Sequence, residues 1–257
     1  MKTVILAGGL GTRISEESHL RPKPMIEVGG RPILWHIMKL YSHYGFNDFV
    51  VCLGYKGSYV KRYFLDYFEH SSDITVDLAS NTVAFHRRPH ESWRVTLVET
   101  GPETQTGGRL KRIEPYLDNE TFLMTYGDAV TNLDIREVVA LHRRRKALAT
   151  VTAVRPLGRF GAISIDDDKV VGFEEKPIGD GGWINGGFFV LERGALAHIA
   201  GDDSIWEHEP MAALTRRGEL AAYQFTGFWQ CMDTLRDKRV LESLWASPSP
   251  PWRVWKD

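Results

Sequence analysis

The apolar run from Thr3 to Ala7 passes directly into Gly8-Gly9-Leu10-Gly11-Thr12-Arg13. A short continuous apolar segment is what a strand buried on both faces of a parallel sheet looks like, and parallel strands need helical crossovers to cover those faces. The chain is thereby confined to α/β architectures. The glycines that follow let the backbone turn sharply, so that several N–H groups face inward toward an anion, and Arg13 adds a fork of donors shaped for phosphate oxygens. Lys23, held between Pro22 and Pro24, offers a second cation on a stiffened segment. Three glycines and two cations so close together suit a triphosphate better than a single phosphate. Two familiar templates do not fit: the third glycine of a dinucleotide fingerprint is Ile14 here, Pro22 and Pro24 interrupt its helix, and no GxxxxGK[ST] motif occurs.

The periodicity after this loop supports the same class. Ile33 to Tyr44 is spaced as a helix and closed by Gly45, and Asp48 to Leu53 reads as the next buried strand. A helix is expected over Tyr59 to Phe68, then short strands over Thr75 to Leu78, Val83 to His86 and Val95 to Glu99. Arg109 to Tyr116 reads as helix and Phe122 to Tyr126 as a strand running into Gly127-Asp128, which places Asp128 at a carboxyl end, where open α/β sheets bind ligands. Ile135 to Arg145 is spaced as a helix and Ala149 to Val154 as a strand. Strands over Gly161 to Ile165, Val170 to Glu174, Phe188 to Leu191 and Ala221 to Phe225 make the later half richer in β. Helices over Glu207 to Arg216 and Thr234 to Trp245 precede a proline-rich ending with two tryptophans, which reads as an extended strap docked by its rings. The expected fold is a doubly wound, mostly parallel α/β sheet with a small added β-rich lobe, organised as a single domain over residues 1–257.

Composition removes several function classes. With 32 Lys and Arg against 33 Asp and Glu the net charge is -1, so no global field draws the chain to nucleic acid or to an anionic membrane. Cys52 and Cys231 are the only cysteines, which fits a reducing compartment without a disulfide framework. The first apolar run is too short for a signal segment, and no stretch approaches the roughly 18 apolar residues that span a bilayer, so a cytoplasmic location without membrane or nucleic-acid partners is expected.

The segments "LAGGLGTR" and "RPKPM" together resemble the signature of the sugar-1-phosphate nucleotidyltransferases. Further segments, among them "CLGYKG", "TGGRLKRI", "FLMTYGD", "EEKPIGDG", "INGGFFVL" and "GFWQCMDTLRDK", look like the branch that joins CTP to glucose 1-phosphate, and the likeness runs from Met1 to nearly the C-terminus. The resemblance implies a Rossmann-like nucleotidyltransferase sheet whose N-terminal half binds the nucleotide and whose C-terminal half binds the sugar phosphate. It implies Mg2+ as cofactor and a homo-oligomer, a hexamer, with Ile74 to Glu99 as a contact surface. UTP, dTTP or another sugar 1-phosphate stay open as alternative substrates, as does a non-catalytic nucleotide-sugar sensor.

Roles follow from the same resemblance. Leu6, Ala7, Gly8, Gly9, Gly11 and Thr12 would line the nucleotide site. Arg13 would hold the departing phosphates, and Lys23 would neutralise charge near the α-phosphate. Thr106, Gly107, Gly108 and Arg109 stand where the cytosine would be read. Asp128 and Asp233 would hold the metal, although Asp233, just before a helix, also reads as its N-cap. Tyr126, Gly127, Glu175, Lys176, Asn185 and Gly186 would bind the sugar phosphate. Two positions depart from the family pattern: Ala129 stands where Gly is usual, and Cys231 where Pro is usual. "HRRPH" at His86 to His90 is not taken as a metal pair, because Pro89 breaks helical spacing.

Overall fold

The computed structural model describes residues 1–86, 91–118, 121–156, 162–166, 169–174 and 182–256. A seven-stranded sheet runs in the order Leu220–Phe225, Ala149–Val154, Ile184–Leu191, Phe122–Tyr126, Thr3–Leu6, Asp48–Leu53, Arg94–Glu99. Thr3–Leu6 lies parallel to both of its neighbours, with Thr3 opposite Phe49 on one side and Leu123 on the other. Ile184–Leu191 is the one strand of this sheet that runs against its neighbours.

The first strand is buried on both faces, as its apolar run requires. Ile5 points into one core with Ile33, Met38 and Tyr41, while Val4 and Leu6 point into the other with Leu110, Leu196 and Trp206. Helices Ile33–His43, Ile135–Arg145 and Leu235–Trp245 cover the first face; Thr106–Arg112 and Glu209–Arg216 cover the second. Local chemistry fixes the ends of these helices. The Asp134 side chain accepts from the Arg136 N–H at 2.9 Å, and Thr234 with Asp237 forms a reciprocal capping box. Among the described residues no helix is long and apolar enough to cross a membrane.

Several boundaries differ from the sequence expectation. The stretch read as one helix over Tyr59 to Phe68 is two, Gly57–Leu65 and Tyr67–Ser71, broken at Asp66. The helix expected from Arg109 starts earlier, at Thr106, and gives way to a 3-10 turn over Glu114–Tyr116, where Pro115 cannot supply an N–H. The terminal strap is docked as its rings suggest: Trp252 and Trp255 are buried against Trp35, His36 and Trp245. Its Trp252 Nε1 donates to His36 Nδ1 at 3.3 Å, and His36 Nε2 donates to the Val28 carbonyl at 2.8 Å.

Two elements that sequence patterning does not reveal matter most for the site. The three-residue strands Ala129–Thr131 and Trp229–Cys231 pair antiparallel, with Ala129 opposite Cys231. The two positions that depart from the family pattern are therefore cross-strand partners. One step beyond them, the Met232 N–H donates to the Asp128 carbonyl at 2.8 Å, which draws Asp128 and Asp233 to one place.

Candidate active site

The parallel strands deliver their carboxyl-terminal loops to one edge of the sheet, where a cavity of about 430 Å³ opens. Leu6 to Gly9, Gly11, Thr12 and Arg13 line it, together with Lys23, Thr106, Arg109, Tyr126, Gly127 and Asp128. Gly11 turns the loop at φ +65, a conformation that side-chain-bearing residues rarely adopt, and a 3-10 turn over Thr12–Ile14 follows. Lys23 sits in its own 3-10 turn after the extended Pro22, and it is buried.

Lys23 is the centre of the charged cluster. Its ammonium donates to Asp128 Oδ2 at 2.6 Å and to Asp233 Oδ1 at 2.6 Å, while Arg13 Nη1 reaches Asp233 Oδ2 at 2.6 Å. Burial works against the charge on Lys23, but the carboxylates of Asp128 and Asp233 outweigh it and raise its pKa. Burial likewise opposes the charge on Asp233, and Lys23 with Arg13 reverses that, so its carboxyl titrates below the usual range. Asp233 is not the helix cap: Thr234 and Asp237 do that work, and the Asp233 N–H donates to Asp237 at 3.0 Å. Its carboxylate is left to the cluster. Beside it, burial and the two aspartates push the Cys231 thiol up to about 12, so it stays protonated.

Arg109, expected at the base, lines the cavity and also holds the loop that forms it. Its guanidinium lies beneath the glycine loop and donates to the carbonyls of Gly8 at 3.0 Å, Leu53 at 3.0 Å and Gly101 at 2.8 Å, and to Thr100 Oγ1 at 2.7 Å. It meets no carboxylate among the described residues. Gly107 and Gly108 face away from the cavity, against the backbone of Asp202 to Ser204, with the Gly108 N–H donating to the Ser204 carbonyl at 3.2 Å. The segment "TGGR" thus reaches the pocket through Thr106 and Arg109, and its glycines serve packing.

Of the residues expected to bind sugar phosphate, Tyr126 and Gly127 line the cavity. Asn185 is tied to its rim through Nδ2 to the Tyr126 hydroxyl at 3.4 Å, and the Gly186 carbonyl accepts from Trp229 Nε1 at 2.7 Å. Glu175 and Lys176 lie outside the described residues. Glu207 enters the pocket wall without having been singled out in the sequence. Its carboxylate accepts from the Tyr126 hydroxyl and, at 2.6 Å, from Thr106 Oγ1. No spacing signal marks a glutamate that meets its partners across 81 and 101 residues.

Comparison with known proteins bears on the family and the fold. The family described as "Nucleotidyl transferase" matches residues 2–234. The glucose-1-phosphate cytidylyltransferase of Salmonella typhi is 53% identical over 257 residues, covering 100% of both chains. A UTP--glucose-1-phosphate uridylyltransferase of Synechocystis is 30% identical over 210 residues, 77% of this chain and 51% of its own length. Among solved structures, HddC from Yersinia pseudotuberculosis superposes with a TM-score of 0.69 at 23% identity, covering 95% of this chain and 99% of the other. A UDP-glucose pyrophosphorylase complexed with UDP-glucose gives 0.68 at 14% identity, covering 95% and 97%. At those identities the structures speak for the fold.

Proposed function

The chain belongs to the nucleotidyl transferase family, in its glucose-1-phosphate cytidylyltransferase branch, and we propose that the cavity around Lys23 is where it joins its two substrates. The reaction is the transfer of a cytidylyl group from CTP to α-D-glucose 1-phosphate, giving CDP-glucose and pyrophosphate. A phosphate oxygen of the sugar phosphate attacks the α-phosphorus in line, and pyrophosphate departs. Because the second pKa of a phosphate monoester is about 6, the nucleophile is already charged at neutral pH and no general base is needed. What the protein must supply is positioning of two polyanions and positive charge around phosphorus.

The residues are suited to that work. The amides of the Gly8 to Gly11 loop cradle phosphate oxygens, Arg13 at the exposed mouth holds the departing pyrophosphate, and the Lys23 ammonium neutralises charge growing at the α-phosphate. Tyr126, Gly127 and Asn185 take the sugar phosphate. The observation that carries this reading is the Lys23 bridge: one ammonium binds two carboxylates brought from opposite halves of the chain, at the foot of a glycine loop.

The family works with a divalent metal ion. Two carboxylates with hard oxygen donors, converging on the point now taken by an ammonium, fit Mg2+, which keeps several waters and takes few protein ligands. Asp128 and Asp233 would hold it, and when bound it supplies Lewis-acid stabilisation of phosphate oxygens.

The homo-oligomer reading has its own support. In the hairpin of Ile74–Asp77 with Thr82–Phe85, Ile74 faces Phe85 and Val76 faces Val83, so four apolar side chains share one face and all are exposed. An isolated two-stranded hairpin gains little stability alone, and its free edges suit pairing with an identical copy about a two-fold axis.

A pyrophosphate-release assay with glucose 1-phosphate and each of CTP, UTP, dTTP, ATP and GTP tests the reaction. Turnover with CTP well above the rest is expected; a preference for UTP or dTTP would reject the cytidylyl assignment.

A further inference from the structure

Two carboxylates line the pocket, and only one of them is neutralised there. Asp128 pairs with Lys23, whereas Glu207 meets no cation among the described residues. Instead its Oε1 accepts from the Tyr126 hydroxyl and its Oε2 from the Thr106 hydroxyl at 2.6 Å. Both hydroxyl oxygens are occupied from behind: Tyr126 receives Asn185 Nδ2 at 3.4 Å, and Thr106 receives the Trp206 N–H at 2.9 Å. Donation therefore runs in one direction along each arm and ends on Glu207. Burial and the charge of Glu207 raise the Tyr126 pKa, so the phenol remains a donor to it.

The chemical consequence is specific. Each hydroxyl has spent its single hydrogen on Glu207, so this wall has no hydroxyl donor left for a ligand and presents the spare lone pairs of a carboxylate. A negative wall repels phosphate, which Arg13, Lys23 and the loop amides of the same cavity attract. What it can bind is an uncharged donor, such as a sugar hydroxyl or a base amino group. We propose that Glu207 is a specificity-determining residue, accepting a hydrogen bond from a hydroxyl or amino group of a bound substrate and so setting which end of that substrate faces away from the cations. The proposal rests on the pocket being the nucleotidyl-transfer site. Cytosine carries an amino group where uracil carries a carbonyl oxygen, so an acceptor-only wall can separate the two bases.

The test uses the full chain with Glu207→Gln, and with Glu207→Asp as a gentler variant should the first fail to fold. The kcat and KM values are measured for CTP, for UTP, for glucose 1-phosphate and for its 2-, 3-, 4- and 6-deoxy analogues, alongside thermal melting. Loss of one hydrogen bond to a charged group predicts a roughly 10- to 100-fold fall in kcat/KM. The fall should be confined to one substrate. If the partner is the base, the CTP-over-UTP preference narrows and the KM for glucose 1-phosphate holds. If it is a sugar hydroxyl, the KM for glucose 1-phosphate rises, and the analogue lacking that hydroxyl loses nothing further in the variant. Either pattern supports the proposal. Unchanged kcat/KM for every substrate overturns it, and so does an equal loss for both substrates with a lower melting temperature, since Glu207 would then only brace Tyr126 and Thr106. Equilibrium binding of CTP and UTP, and of glucose 1-phosphate and its analogues, reads the same ratios without turnover. An inactive wild type would count against the reaction while leaving Glu207 measurable.

Discussion

Arg109 lies directly under Gly8: its guanidinium donates to the Gly8 carbonyl at 3.0 Å, and a Cβ added at Gly8 would stand 2.2 Å from Nη1. The glycine turn is thus held from below by a buried cation bonded to backbone carbonyls and one threonine hydroxyl. Arg109→Met should orphan several buried carbonyls at once and cost about 3 kcal/mol of stability. It should also loosen the loop, seen as a higher KM for CTP. Urea unfolding with and without nucleotide checks both; a variant as stable as the wild type would remove the clamp from the account.

Asp128→Ala should leave the fold intact and reduce turnover by about 10³-fold, because the charge stabilisation expected from a two-carboxylate metal site is lost. Circular dichroism and pyrophosphate release measure the two parts separately. An active Asp128→Ala enzyme would contradict the metal role.

Lys23→Ala is expected to lower kcat by about 10²-fold or more while changing CTP binding much less, as for a group whose charge matters most in the transition state. Equal losses in kcat and in CTP affinity would instead make Lys23 a ground-state phosphate ligand.

His36 predicts an acid limit to stability. Burial among four tryptophans lowers its pKa to about 4, against about 6.5 when unfolded. Between those values the unfolded chain binds the proton and the folded one does not, so stability is full above pH 6.5 and declines as the pH falls toward 4. The loss is of order 3 kcal/mol. Melting temperatures across that range should drop more steeply for the wild type than for His36→Gln. Parallel slopes would mean other groups control the acid response.

Val76→Glu, in the exposed apolar face of the hairpin, should shift the chain toward smaller species in light scattering without lowering its melting temperature as a monomer. An unchanged mass would move the contact elsewhere.

Much of the fold could be read from the sequence because local rules coincide with the final structure. The first strand has an uninterrupted apolar run, and Ile135–Arg145 has an aspartate cap in front and residues at helical spacing within. The loop, Arg13, Lys23 and Asp128 were visible because they crowd into short segments or end a strand. What has no local signal depends on partners far away in the chain. Glu207 gains its place only through Tyr126 and Thr106. The hold of Arg109 on the loop has no sequence signal, because the carbonyls it meets come from Gly8, Leu53 and Gly101. Asp233 was ambiguous because Thr234 and Asp237, which do cap the helix, stand so close to it.

The ladder of Ala129–Thr131 with Trp229–Cys231 has a bearing on how the enzyme comes into being. The seven strands of the main sheet all precede Trp229 in the chain, so each is synthesised before the second aspartate. The pair of acids is therefore assembled late, by a short ladder outside the main sheet, with helix Leu235–Trp245 and the tryptophan strap still to follow.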